Sequence, residues 1–597
     1  MCIRCGCLSE KEWYRGSYAF ISCYTEMKAF YFIERNWQIM ILNGSQIILE
    51  CLIEQGVDTI FGYPGGAVLN IYDALYDYSD KITHILTSHE QNAAHAADGY
   101  SRTTGKTGVV IATSGPGATN LVTGIATAYM DSIPMVAITG NVATSLLGLD
   151  SFQEVDITGI TMPVTKHNYI VKDVTKLADV IREAFFIAND GRKGPVLIDI
   201  PKDITAAECE FENAVLREHT YSADNDDINK AAEVIMAAER PFIYAGGGVV
   251  SADACDELAE FAELTDSPVS LTLMGQCAFD NTNERYTGML GMHGTKASSM
   301  ALCECDVMIV IGSRFSDRVT CSTKSFSEVM MNKQIIHIEI DPAEINKNVL
   351  IDHRINGDIK YILQRLNSIL SKQHHTDWIN RVIDWKKEYP LCQVSDDEND
   401  VLPQYVIETL HSLTNGEAVI TTEVGQHQMW AAEYYGFRKP HSFASSGGLG
   451  TMGYGLGAAI GSKVGNPEKV VVNIAGDGSF YMNMQELTTL AKYDLPVIEL
   501  VFNNSVLGMV RQWQKLFYNK RFSQTNLEKN TDFELLAKAV GIAGLIIRTK
   551  EDVKPVLEKA IKMNKPVLIN CLIDKDINVL PMVPAGASIA EPILEIK

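Results

Sequence analysis

From Met40 onward, short runs of consecutive apolar residues alternate with stretches where apolar positions recur every three or four residues. The runs at 57–61, 109–113, 134–139 and 195–200 are short and mostly end in Gly, Pro or a small polar residue. Continuous apolar runs separated by helical periodicity predict buried parallel strands with helices on both faces. Ahead of the first run, 46–55 has the pattern of an amphipathic helix, with Ser45 as its expected cap and Gly56 as its end. The same grammar returns at 241–245, 307–311 and 334–340, and again at 418–422, 470–474, 497–502 and 567–571. The expected fold class is therefore α/β, with three doubly wound parallel-sheet domains at 40–205, 228–375 and 402–575, followed by a tail at 576–597. Polar stretches at 222–229 and 395–400 read as linkers. Three units of similar size suggest one sheet plan used three times.

Residues 1–39 keep neither periodicity, and no clean apolar stretch there leads to a small-residue cleavage site. The folded protein is expected to begin near Met40, with 1–39 a misplaced start or a disordered extension. The chain has 597 residues, and Lys+Arg 51 against Asp+Glu 74 gives a net charge of −23. That balance argues against a nucleic-acid backbone or an anionic membrane surface as main partner. No apolar run is long enough for a membrane span. Of thirteen cysteines, nine lie between Cys51 and Cys571, mostly in apolar runs, which reads as reduced core thiols of a cytoplasmic protein. Cys2 and Cys5 have the spacing of half a metal site, but no second ligand pair follows.

The sharpest chemical signal is the run 470–475 leading into Gly476-Asp477-Gly478-Ser479. A buried strand ending there sets one carboxylate on a tight turn beside converging backbone N–H groups. A second strand delivers Asn504, 27 residues after Asp477. On adjacent parallel strands the two would share one sheet edge, and a carboxylate, an amide oxygen and a backbone carbonyl with diphosphate oxygens suit Mg²⁺. An ordinary strand-to-helix turn followed by an Asx turn fits the same letters. Gly448-Leu-Gly450-Thr-Met-Gly453 matches G-x-G-x-x-G, but 440–446 does not read as a strand, so a nicotinamide site is not expected. In the first block, Glu90 opens an alanine-rich helix after a strand-like 82–86. The helix dipole explains a Glu there, while alanine crowding suggests burial against another surface. Gly115 to Asn120 reads as a small-residue loop, open either to phosphate cradling or to subunit packing.

Together, Phe61-Gly-Tyr-Pro-Gly-Gly66, Ser88-His-Glu-Gln91, Gly115-Pro-Gly-Ala-Thr-Asn120, Gly312-Ser-Arg-Phe-Ser-Asp-Arg318, Gly425-Gln-His-Gln-Met-Trp430, Gly476-Asp-Gly-Ser-Phe480 and the segment 503–514 carry a resemblance. Over about 40–597 the chain resembles the catalytic large subunit of acetohydroxyacid synthase (acetolactate synthase), a thiamine-diphosphate family. The resemblance implies pyrimidine-binding, central FAD-associated and diphosphate-binding domains, in that order. It implies decarboxylation of pyruvate, then condensation of the two-carbon unit with pyruvate or 2-oxobutyrate. The products would be 2-acetolactate or 2-aceto-2-hydroxybutyrate, in valine, leucine and isoleucine biosynthesis.

The same resemblance assigns roles. Glu90 would contact N1′ of the aminopyrimidine and favour the tautomer whose 4′ nitrogen removes the C2 proton. Pro64, Gly65, Asn120, Gly425, Gln426, His427, Gly476, Gly478, Ser479 and Met509 would contact thiamine diphosphate. Val424 and Gly450 would offer carbonyls to the 4′-amino group, and Met452 would support the bent cofactor. Mg²⁺ would be held by Asp477, Asn504 and the carbonyl of Val506. Arg318 would bind the acceptor carboxylate, and Trp513 would favour 2-oxobutyrate. Phe152, Gln153 and Lys166 would line the channel. Gly291, His293, Arg314, Asp317 and Asp341 would hold an FAD kept mainly for structure, which favours the biosynthetic branch over the flavin-free catabolic one. Ser316, Asn92, Ala94 and Gly457 depart from the usual family residues. A homodimer or homotetramer with active sites between chains is implied, with a small regulatory subunit. Another thiamine-diphosphate carboligase or decarboxylase is the nearest alternative: glyoxylate carboligase lacks the Glu, and Arg318 with Trp513 argues against a simple decarboxylase. An inactive scaffold homologue is the alternative outside enzymes.

Overall fold

The structure is a computed structural model and describes residues 40–595 apart from 218, 221, 394–399 and 528–530. The expectations for 1–39, including Cys2 and Cys5, and nearly all of 395–400 lie outside the described residues.

Three six-stranded sheets are wholly parallel, and every expected strand is present within a few residues of its bounds. The first sheet runs Thr83–Leu86, Thr59–Tyr63, Gly108–Ala112, Met135–Asn141, Pro195–Pro201, His167–Ile170 across its width. Numbered along the chain, that order is 2-1-3-4-6-5. The last sheet, Phe443–Ala444, Val419–Thr422, Val471–Gly476, Val497–Asn503, Val567–Leu572, Ala543–Ile547, has the same order. The middle sheet does not: Tyr286–Met289, Val269–Leu271, Pro241–Ala245, Val307–Ile311, Gln334–Glu339, His353–Asn356 is 3-2-1-4-5-6. The expectation of one plan used three times is therefore corrected to two plans. The outer domains share one, and the middle domain has the order common to dinucleotide-binding folds.

Several local readings change. The first helix is Gly44–Glu54, and its cap is Asn43, not Ser45. Asn43 Oδ1 accepts from Gln46 N–H (2.9 Å) while Gln46 Oε1 accepts from Asn43 N–H (3.0 Å). That reciprocal pair satisfies two orphan donors, and the Ser45 hydroxyl instead donates to the Thr205 carbonyl. The polar stretch 222–229 is not all linker: Asp224 caps the helix Asn225–Ala237, whose first turn welcomes acidic residues. Gly115 to Asn120 is a short helix, Pro116–Asn120, rather than a loop. Phe443–Ala444 is a two-residue edge strand inside the stretch read as non-strand. Residues 576–579 stay on the last domain, where Gln512 Nε2 donates to Val579 O, and the chain then crosses the middle domain, with Val583 N–H donating to Met292 O, Gly586 N–H donating to Cys321 O, and Ile589 fully buried.

The outer domains meet along two helices, Glu90–Thr104 and Gly455–Gly465. Both are almost entirely buried, as the alanine crowding suggested. At Gly461 a Cβ would run into Ala96 O, and at Gly99 into Ala458 O, so only glycine lets the backbones touch. A buried ionic group closes one end of this seam. Arg102 donates to Asp98 (2.6 Å) and Asp131 (2.9 Å), and the Tyr454 hydroxyl donates to Asp98. Asp131 also accepts from the N–H groups of Gly447 and Gly448. Against the burial that disfavours its charge, the two carboxylates hold Arg102 protonated.

Candidate active site

In open α/β sheets, ligands bind beyond the carboxyl ends of the strands where the order reverses. In the last domain that point lies between Val419–Thr422 and Val471–Gly476. The chain leaves the first of these strands through Val424–His427 and the second through Gly476–Ser479. The neighbouring strand Val497–Asn503 leads to Asn504 and Val506. One cleft is lined by Val424, Gly425, Gln426, His427, Met452, Gly476, Asp477, Gly478, Ser479, Asn504, Val506 and Met509. Asp477 and Asn504 therefore meet at one edge, as their spacing predicted.

Asp477 is buried and starts the helix Asp477–Phe480. Asn504 Oδ1 accepts from Val506 N–H (3.1 Å), the Asx turn that the letters also allowed. A carbonyl oxygen keeps a second lone pair for another partner. Among the described residues no cluster of three His, Cys, Asp or Glu could hold a metal. A set of one carboxylate, one amide and one main-chain carbonyl suits a hard cation that takes further oxygens from phosphate. His427 lies under Gly476, where a Cβ would come within 2.7 Å of its Nδ1. Burial pushes His427 down to about 3, so its ring is neutral, and Nε2 is buried with no partner. Gln426 Oε1 is likewise orphaned. Orphaned buried polar atoms lining a cleft fit a polar guest.

Gly450 does not line the cleft, though it sits in left-handed backbone (φ 73°) near Val424. Behind it stands Glu423, which sequence reasoning missed. Its oxygens accept from Gly453 N–H (2.6 Å), Ser479 Oγ (2.8 Å) and Leu456 N–H (3.2 Å). Burial pushes this carboxyl up to about 7, and the hydrogen bonds oppose that rise. A carboxylate closing the apolar run 418–422, next to Val424-Gly425, was the signal that could have found it.

The first domain repeats the arrangement with different residues. Its reversal lies between Thr59–Tyr63, which runs into Pro64 and Gly65, and Gly108–Ala112. Glu90 opens the helix Glu90–Thr104, and His89 Nδ1 caps it by accepting from Gln91 N–H. Asn120 Nδ2 donates to Glu90 Oε2 (2.9 Å). A Cβ on Gly117 would stand 3.3 Å from Glu90 Oε1, one on Gly65 2.5 Å from Thr113, and one on Gly115 2.9 Å from Gln153. Pro64, Gly65, Glu90, Asn120 and Gln153 are thus gathered at one sheet edge. Glu90 is half-buried, and none of these residues lines the Asp477 cleft.

Comparison with known proteins decides the family. Thiamine pyrophosphate enzyme models match in order: the N-terminal TPP binding domain at 42–160, the central domain at 228–366 and the C-terminal TPP binding domain at 423–571. The acetolactate synthase isozyme 2 large subunit of Escherichia coli is 44% identical over 92% of this chain and 99% of its own. A probable acetolactate synthase large subunit of Methanocaldococcus jannaschii is 46% identical over 92% and 96%. That of Cyanidium caldarium is 44% identical over the same shares. The chain belongs to the acetolactate synthase family. It is an enzyme of that thiamine-diphosphate class.

The remaining residues implied by the acetolactate synthase resemblance fall in three places. Arg318 and Trp513 meet through Met292: Arg318 Nη1 lies 3.2 Å from Met292 Sδ, and Trp513 packs on Met292, Cys321 and Val583. Trp513 and Met509 also line an apolar groove with Tyr518 and Arg521, and Met509 joins it to the Asp477 cleft. In the middle domain, Gly291 (φ 122°) lies against the Arg318 carbonyl. His293 is half-buried; burial pushes it down to about 4, a hydrogen bond with the Pro581 backbone opposes that shift, and Nδ1 is unpartnered. Arg314 is half-buried, its pKa lowered by burial and by Arg192, and it forms no ion pair among the described residues. Asp341 is paired with Arg192 (3.4 Å) and caps Ala343. Lys166 stands apart from these groups, donating to the carbonyls of Ile187 and Asp190 at the end of Leu177–Asn189. Phe152 is 88% exposed.

Proposed function

We propose that the Glu90 edge and the Asp477 cleft are complementary halves of one thiamine-diphosphate site, completed when two copies of the chain associate. The observation that carries this reading is that none of Pro64, Gly65, Glu90, Asn120 and Gln153 lines the Asp477 cleft of its own chain, each half holding residues the other lacks. The enzyme condenses pyruvate with a second 2-oxoacid, pyruvate or 2-oxobutyrate, forming 2-acetolactate or 2-aceto-2-hydroxybutyrate for valine, leucine and isoleucine biosynthesis.

Asp477, Asn504 and the Val506 carbonyl would hold Mg²⁺, with Gln426, His427 and Ser479 contacting the diphosphate. Thiamine diphosphate supplies a thiazolium that accepts the electron pair released when pyruvate loses CO₂. Glu90 shares a proton with the aminopyrimidine N1′, and the Asn120 amide keeps the carboxylate aimed by donating to its other oxygen. Covering Glu90 with a second chain would exclude water and strengthen that exchange. Arg318 receives the planar carboxylate of the acceptor through a forked donor. Trp513 offers an apolar face to the extra methyl of 2-oxobutyrate, a preference of roughly 1–3 kcal/mol. In the middle domain, Arg314, with no ion pair among the described residues, and the unpartnered Nδ1 of His293 fit an anionic dinucleotide, and FAD is the group we assign there. Gly291 would give it close approach, and Asp341 and Asp317 are the carboxylates assigned to it by the family resemblance. Among the described residues no helix is long and apolar enough to cross a membrane, and a cytoplasmic enzyme with a small regulatory subunit fits this reading.

Mixing tests the shared site. Glu90→Gln should lower turnover by about 100-fold or more while the chain stays folded. Asp477→Ala should be equally inactive. After dissociation and reassembly together, the two variants should regain activity, because one of the two sites then has both halves intact. Product analysis from pyruvate, with and without 2-oxobutyrate, identifies the condensation. Two inactive variants that stay inactive in every mixture would overturn the reading.

A further inference from the structure

Glu486 is fully buried, in the turn Met484–Glu486 that follows the helix Asp477–Phe480. Its partners lie largely in the other outer domain. Ser88 N–H donates to Oε1 and Oε2 (3.0 and 3.1 Å), and Asn92 Nδ2 donates to Oε1 (3.1 Å). Thr489 Oγ1 completes the set by donating to Oε2 (2.6 Å). Ser88 and Asn92 bracket Glu90, the proposed proton-sharing carboxylate. A buried carboxylate is costly unless hydrogen bonds offset its desolvation; burial raises the Glu486 carboxyl above its ordinary value, and these hydrogen bonds oppose that rise.

We propose that Glu486 is a positioning residue for Glu90: it clamps the start of the helix Glu90–Thr104 from across the domain boundary. The inference rests on the reading of Glu90 given above. A glutamine at 486 would keep one acceptor but turn an NH₂ group toward donors, placing donor against donor. Without the clamp the Ser88–Asn92 segment shifts, and Glu90 moves with it. A displacement of about 1 Å at a reacting group costs about 100-fold in rate. Glu486 also lies shortly after Asp477 in the chain, so it ties the metal side of one cleft to the Glu90 edge of the same chain.

Two measurements test this without relying on turnover. In the cofactor-free chain, Glu486→Gln should speed amide exchange across residues 86–93. In the loaded enzyme, deuterium exchange at C2 of bound thiamine diphosphate should slow by about 100-fold, with its Kd within about threefold of wild type. The double variant with Glu90→Gln should be no slower than Glu90→Gln alone, since both act on one step. Wild-type C2 exchange in Glu486→Gln, or losses that multiply in the double variant, would overturn the assignment. If Glu90→Gln itself exchanges at the wild-type rate, the reading of Glu90 fails instead. Should Glu486→Gln not fold, Thr489→Val decides: removing one donor should slow C2 exchange by about tenfold, and no change would count against the clamp.

Discussion

The two outer domains share one strand order, yet their crevices are built on different terms. In the last domain the crevice is finished by its own chain: Asp477, Glu423 and Glu499 are all buried. Glu423 accepts from three donors, and Glu499 accepts twice from Asn473. In the first domain the edge is left open. Glu90 is half-buried, and among the described residues only Asn120 donates to it. One topology can thus yield a crevice lined by buried, hydrogen-bonded acids or a presented carboxylate. The difference lies in how many donors the chain brings to its own acidic groups: several reach Glu423 and Glu499, whereas Asn120 alone among the described residues reaches Glu90.

That contrast can be broken by variants that should behave oppositely at the two edges. Asp477→Ala should weaken thiamine-diphosphate binding in Mg²⁺ by about 100-fold, because it removes the carboxylate proposed to hold the metal. Glu90→Gln should change that Kd by less than about threefold. Calorimetric titration of both variants separates them, and equal losses would erase the distinction.

A smaller effect concerns what joins the edges. Arg102→Met leaves Asp98 and Asp131 buried without their cation and should cost about 3–5 kcal/mol in chemical denaturation. The loop holding Gly447 and Gly448 should loosen with it. An unchanged denaturation midpoint would show that the two domains are not held through this group.

The closed crevice also carries a pH signature. Burial raises Glu423 to about 7, above its value in the unfolded chain. The folded state therefore binds the extra proton, and the contribution of this group to stability falls as pH climbs from about 4.5 to about 7. Over that window the loss is on the order of 3 kcal/mol. Relative to wild type, Glu423→Gln should gain stability by that amount between the two ends, whatever its constant offset. Parallel pH profiles for the two proteins would place the proton elsewhere.

Central strands were legible in the sequence because both faces are covered, so most positions are apolar, as in Val307–Ile311. His167–Ile170 and His353–Asn356 escaped notice because edge strands are partly wet and mix polar residues in. Asp477 and Asn504 were legible because adjacent parallel strands convert sequence spacing into spatial proximity. Glu423 and Glu486 were not. A lone Glu in a sequence looks the same in water or in a core, and their partners lie up to 398 residues away. The cap at Asn43 was missed by two residues because its capping box needs Gln46, which the apolar pattern had already claimed for the helix. The differing strand order of the middle sheet cannot be read from periodicity at all, since crossover connections leave no local trace.

The touching backbones at Gly461 and Ala96 have a mechanical corollary. With no side chain between them, the paired helices behave as a keyway: neither can slide or rotate without collision. Whatever displaces the metal-side loops of a chain must then carry the Glu90 edge along as one rigid block, and any give in the molecule is left to the middle domain and the strap that covers it.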